Sequence, residues 1–196
     1  MTIGGGPGPE EMAGFARARL FERRVVLAHG VLDDRLAGEV ALSLMTLDAE
    51  GDEHVELHLS CPDGTLAAAF AVIDTMDLLG VPVHATCVGS VCGPPVGVLA
   101  AASWRRAAVH ARFRLATGAT SLTGTASELA RLAREHQEEV EAFAARLALA
   151  TKRPFEHVEA DLAAGRSLSA AEAIAYGLVD ELWSPKDSGF GRSEEP

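Results

Sequence analysis

The sequence predicts an α/β protein of stacked ββα or βαβ units with largely parallel sheets. Short runs rich in Val, Leu and Ala, such as 55–59 and 81–88, alternate with amphipathic segments of helical spacing, such as 33–47 and 67–79. A second observation is the corner at 87–102, where the end of a buried strand meets the turn Gly93-Pro94-Pro95 and then a helix of small residues. Such strand-turn-helix corners in hydrolases present a nucleophile, with backbone amides at the helix start ready to hold an oxyanion. Here glycine supplies no nucleophile and proline has no N–H to donate. The corner has the shape of a catalytic one without its groups.

Taken in order, residues 1–12 are rich in Gly and Pro and are expected to form a flexible N-terminal segment. A helix is predicted over 13–20 and a strand over 23–30, closed by Gly30. Leu36, Val40, Leu42 and Leu44 mark a helix over 33–47, followed by an acidic loop at 48–53. Alternation over 55–59 marks a strand with one covered face, ending in the turn at 60–64. Ala68, Val72, Met76 and Leu79 share one side of the helix 67–79, and 81–88 is the next strand.

Beyond the corner, 107–116 reads as a strand and 117–124 as a Gly/Thr-rich loop. The longest helix follows at about 126–150, opened by Thr125 and Glu128 at capping-box spacing. Leu129, Leu132, Val140, Phe143 and Leu147 form its apolar stripe, which suits either covering the core or projecting into a partner. Short helices begin at Pro154-Phe155 and at Ser169, 176–180 is strand-like, and the polar tail 184–196 is expected to be disordered. There is no internal repeat, so 13–183 is expected to be one domain.

A chain of 196 residues can bury one sizeable core, and with aromatics at 5% that core must be built from Ala, Val and Leu. A net charge of −11 argues against a nucleic-acid surface and against anionic membranes. The three cysteines, Cys61, Cys87 and Cys92, lack zinc-site spacing and read as free thiols in a reducing compartment. No metal and no cofactor are expected. Neither a signal peptide nor a membrane-spanning run is legible, and a cytoplasmic location is expected.

From about Gly14 to Trp183 the chain resembles ClpP, the serine-protease subunit of ATP-dependent Clp machines (peptidase family S14). The segments that carry the resemblance are Leu20-Phe-Glu-Arg-Arg-Val-Val-Leu, Gly30-Val-Leu-Asp-Asp, Cys61-Pro-Asp-Gly64, Ile73-Asp-Thr-Met76, Cys87-Val-Gly89, Leu99-Ala-Ala and Leu168-Ser-Ala-Ala-Glu-Ala-Ile-Ala-Tyr-Gly-Leu-Val-Asp180. Their order and spacing agree together. The resemblance implies a ClpP/crotonase-like fold of stacked ββα units with a protruding handle helix, here about 126–150. It also implies assembly into two stacked seven-membered rings around a chamber.

Carried over residue by residue, the family's Ser-His-Asp triad falls on Gly93, Gly118 and Gly165, so all three side chains are missing. The family's two oxyanion-hole amides fall on Gly64, which keeps its N–H, and on Pro94, which has none. Cys92 and Thr117 are adjacent to triad positions, but neighbouring side chains on a turning backbone point elsewhere. His110 and His58 read as strand residues, and Asp63 and Asp161 as caps or solvated carboxylates.

The cleft that receives ATPase loops in the family is lined by aromatics, at positions held here by Glu56 and His58. A carboxylate in an apolar socket is costly to bury, so docking of a Clp ATPase is doubtful. The expectation is a catalytically inert ClpP-like subunit, a homo-oligomer or a hetero-oligomer with an active ClpP paralogue. Two alternatives stand beside it. One is a divergent ClpP/crotonase-fold hydrolase or acyl-thioester enzyme with relocated residues, the other a non-catalytic homo-oligomeric binding chamber.

Overall fold

A computed structural model describes residues 8–183 except 119, 120 and 122. The expected tail at 184–196 and the first seven residues lie outside the described residues. In chain order the elements are α1 (Pro9–Phe21), β1 (Val25–His29), α2 (Asp34–Glu50), β2 (Val55–Cys61), α3 (Leu66–Leu78), β3 (Val83–Cys92) and α4 (Pro95–Ala101). They continue with β4 (Trp104–Ala107), β5 (Arg112–Arg114), α5 (Ala126–Thr151), α6 (Phe155–Ala164), β6 (Ser167–Ser169), α7 (Ala170–Tyr176) and β7 (Glu181–Leu182).

The sheet runs β1-β2-β3-β4-β7 with every neighbour parallel, as alternating strands and crossover helices require. β3 is long because it serves two partners. Its first half pairs with β4, while Ser90–Cys92 pairs with β5, which in turn pairs antiparallel with β6. In β2, Val55, Leu57, Leu59 and Cys61 are buried, and Glu56, His58 and Ser60 between them are half-buried on the opposite face. The buried face joins the apolar sides of α2, α3 and α4 in one core. The Thr125/Glu128 capping box forms as the spacing predicts: the Glu128 carboxylate accepts from the Thr125 N–H at 2.8 Å.

Four sequence expectations need correction. α1 begins at Pro9, inside the segment expected to be flexible. The predicted acidic loop is shorter, because α2 continues to Glu50 and the Asp48 carboxylate accepts from the Gly80 and Val81 N–H groups at 2.9 and 3.0 Å. The predicted strand 107–116 is two strands, interrupted by a turn in which Ala111 N–H donates to the Ala108 carbonyl, because β4 and β5 pair with different halves of β3. The strand-like reading of 176–180 misses that Gly177 caps α7 at φ 86°, leaving Glu181–Leu182 as the strand.

Six of the seven residues of α4 are buried, and α3 and α5 close over it. A Cβ at Gly97 would lie 2.5 Å from the Phe143 ring and 3.1 Å from Ile73 Cδ1. Phe143, Ala144 and Leu147 seat the second half of α5 on the body, and Arg146 holds Asp77 of α3 with contacts of 2.5 and 2.7 Å. The first half of α5 is largely exposed.

Gly97→Ala should therefore destabilise the protein by about 1–3 kcal/mol through overpacking. Gly38→Ala, on the exposed side of α2 with nothing within 4 Å of the new Cβ, should leave stability unchanged or raise it by about 0.5–1 kcal/mol. Urea denaturation midpoints of the two variants read the difference.

Candidate functional site: the corner between β3 and α4

β3 ends at Cys92, and Gly93 turns the chain at φ 69°. The Gly93 N–H is used by the Arg114 carbonyl at 2.8 Å, and its own carbonyl accepts from Val96 N–H at 3.0 Å as α4 begins. A Cβ on Gly93 would sit 3.8 Å from the Ala116 carbonyl and 3.9 Å from both Asp63 Oδ1 and the Gly118 nitrogen. A Cβ on Gly118 would lie 3.1 Å from the Gly64 carbonyl and 3.3 Å from the Pro94 ring. Gly64, Gly93, Pro94 and Gly118, distant in sequence, thus form one contiguous patch.

Gly165 caps α6 at φ 63°, and a Cβ there would meet nothing within 4 Å. The three glycines at 93, 118 and 165 all have positive φ, 69°, 82° and 63°, a region that L side chains rarely occupy. At these positions both the side chain and the backbone conformation that would carry it without strain are missing.

The hydrogen-bond donors are equally committed. The Gly64 N–H donates to the Asp63 carboxylate at 2.9 Å, and Pro94 has no N–H. Asp161 accepts from Arg166 at 3.0 and 3.2 Å and from the Tyr176 hydroxyl at 2.9 Å, which makes it a tie between α6 and α7. Tyr176 lies under the Arg153 guanidinium at 4.1 Å, and burial first, then the bond to Asp161, pushes its hydroxyl up to about 12. His110 lies in the turn between β4 and β5 rather than in a strand.

The cysteines are not activated. Burial pushes Cys61 up to about 11 and Cys87 up to about 12, and the Cys61 thiol donates to the Ala28 carbonyl at 3.2 Å. Burial also raises Cys92; Arg114 offsets part of this and the Asp63 carboxylate adds to it. A reactive thiol needs the opposite shift.

The second place singled out by the sequence is the other face of the sheet. Register aligns Glu56 with His84, and His58 with Thr86, which in turn faces Arg106. Arg106 Nη2 contacts both Glu56 oxygens at 2.7 Å. His54 Nε2 and His84 Nδ1 stand 3.4 and 3.7 Å from Glu56 Oε1, with their rings stacked at 4.2 Å. Burial lowers the pKa of both His58 and His84; Glu56 opposes the shift at each, and His54 adds to it at His84. Thr86 Oγ1 and Arg106 Nε are buried there without a partner among the described residues. Sequence reasoning found Glu56 and His58 but missed His54, His84 and Arg106, which only strand register brings to them.

A family model described as Clp protease matches residues 10–186, from within α1 to just beyond β7. The chain belongs to the Clp protease family. Its mixed α/β architecture is that family's fold, and α5 is the helix that the resemblance assigns as the handle. Among the described residues no helix is long and apolar enough to cross a membrane.

The raised Cys92 pKa gives a signed expectation for this Clp protease-family chain. At pH 8 the residue should be mostly thiol, and its alkylation rate should climb to a midpoint above that of free cysteine. A rate-against-pH profile of iodoacetamide labelling, read by mass spectrometry at Cys92, checks this; a midpoint at or below free cysteine would reveal an activated thiol.

Proposed function

We propose that this chain is a ClpP-like subunit without peptidase activity of its own, which assembles into rings and modulates an active ClpP paralogue. One observation carries the reading. At the corner where the resemblance places nucleophile and oxyanion hole, Gly93 offers no nucleophile, Pro94 no donor, and the Gly64 amide is occupied by Asp63. Loss of one oxyanion donor alone typically costs ~100- to 1,000-fold in rate. The scaffold around this corner is intact, and family members form ring oligomers. A subunit that keeps the scaffold without the chemistry retains the capacity to occupy ring positions.

The sheet face expected to receive ATPase loops supports the same reading. Glu56 is held by Arg106 and flanked by imidazoles, so an apolar loop would have to complete the desolvation of an ion pair whose two partners are already partly buried. In the proposal, engagement of a Clp ATPase falls to the active paralogue.

Sedimentation at micromolar concentration should show a species much heavier than 20.5 kDa, alone or mixed with a ClpP paralogue. Rings of this chain alone should bind a Clp ATPase far more weakly than rings of an active ClpP. A clean monomer under both conditions overturns ring assembly, and tight ATPase binding by the pure ring overturns the reading of the sheet face.

Hydrolysis of a small activated peptide tests the corner. The wild-type chain should show none, and Gly93→Ser, Gly118→His and Gly165→Asp together should restore little, since all three side chains meet positive φ and Gly118 also lacks room. Adding Pro94→Met should raise any residual rate by roughly 100-fold, the effect of one regained donor. Robust turnover by the wild type, or by the triple variant with no gain from Pro94→Met, would show that other groups do the chemistry.

A further inference from the structure

We infer that His54, Glu56 and His84 form a binding site for one divalent transition-metal ion, Zn²⁺ or an ion of similar ligand preference, on the outer face of the sheet. The Nε2 of His54, the Nδ1 of His84 and a Glu56 carboxylate oxygen all lie within 4.8 Å of one another. Zinc bonds of about 2.0–2.2 Å in tetrahedral geometry place neighbouring ligand atoms roughly 3.3–3.5 Å apart. His54 Nε2 stands at that separation from Glu56 Oε1, at 3.4 Å, with His84 Nδ1 at 3.7 Å; the two imidazoles, stacked with centroids 4.2 Å apart and planes 22° from parallel, must turn about their Cβ–Cγ bonds for both nitrogens to face one ion. Two imidazoles and one carboxylate are the donor set of zinc and its neighbours, whereas Mg²⁺ and Ca²⁺ favour all-oxygen sites.

The ligands are positioned by the fold. Glu56 and His84 are register partners on adjacent parallel strands, so their side chains stand on one sheet face. His54 lies in the loop before β2, and Arg24 clamps that loop by donating to the carbonyls of Gly51, Glu53 and His54 at 3.2, 2.6 and 3.3 Å. Arg106 is the outer partner. It reaches both Glu56 oxygens at 2.7 Å, so it can keep Oε2 while Oε1 turns to the ion, the usual way a ligating carboxylate is oriented. The His54 side chain is 49% exposed, which leaves the ion open to water or to an external ligand in its remaining positions. The positive charge of Arg106 disfavours a cation, so the site is expected to be weaker than an all-protein structural zinc site. It shares no residue with the corner beside Gly93.

The test uses untagged, full-length protein stripped with a chelator. Zn²⁺ is titrated in competition with a chromophoric chelator, and Co²⁺ is added separately to record its visible absorption. One equivalent should bind at micromolar protein, and the cobalt spectrum should lack the thiolate charge-transfer band of a cysteine site. His54→Ala and His84→Gln should each weaken binding by at least about 10-fold. Cys92→Ser and His110→Ala should leave it unchanged. Circular dichroism confirms folding; if His84→Gln fails to fold, the exposed His54→Ala, together with the cobalt spectrum, carries the decision. Absence of binding at micromolar protein, affinity unchanged in His54→Ala, or loss of binding in Cys92→Ser overturns the site.

Discussion

The contact on which the architecture depends is the seat of α4 between α3 and α5. At Gly97 the α4 backbone approaches the Phe143 ring so closely that an added methyl would lie 2.5 Å away. The missing side chain of Gly97 allows that approach, and burial of Phe143 and Leu147 fixes the root of the long helix α5. The same seat fixes where β3 must end and α4 begin. The corner at Gly93 is thus held by packing behind it, independently of any chemistry in front of it.

The residues at the corner suit that packing. Proline is favoured at the first position of a helix, where Pro95 stands, and Pro94 before it already has helical φ, −52°; neither has an amide to donate. Glycine at 93 and 118 releases the backbone into left-handed conformations and lets Gly64, Pro94 and Gly118 close against each other. Asp63 then satisfies the remaining amide at Gly64. Backbone and the Pro94 ring crowd position 118, whereas a Cβ at Gly93 would meet nothing nearer than 3.8 Å.

On the far side of the sheet the balance is reversed. The core face is apolar throughout, while the outer face gathers Glu56, Arg106 and imidazoles from a loop and two strands. A partly buried ion pair, with Thr86 Oγ1 and Arg106 Nε beside it lacking partners among the described residues, contributes little to stability by itself.

Much of the fold was legible in the sequence because it rests on local patterns. The alternation of Val55, Leu57 and Leu59, the α5 stripe through Phe143 and Leu147, and the Thr125/Glu128 cap all stand as read. What tertiary structure decided came from pairings that local pattern does not encode. The split of the predicted strand 107–116 follows from the two partners of β3, and the extension of α2 from the reach of Asp48 to Gly80 and Val81. The sequence placed Glu56 and His58 on an exposed strand face, but parallel register brought His84 and Arg106 there, and the Arg24 clamp brought His54. At the corner, the sequence by itself determined that Gly93 and Pro94 lack a nucleophile and a donor. Tertiary structure alone decided that Gly118 closes against Pro94, because distances between residues remote in the chain are set by how the elements pack, whereas the bond from the Gly64 amide to the neighbouring Asp63 carboxylate is set by the torsions of the turn.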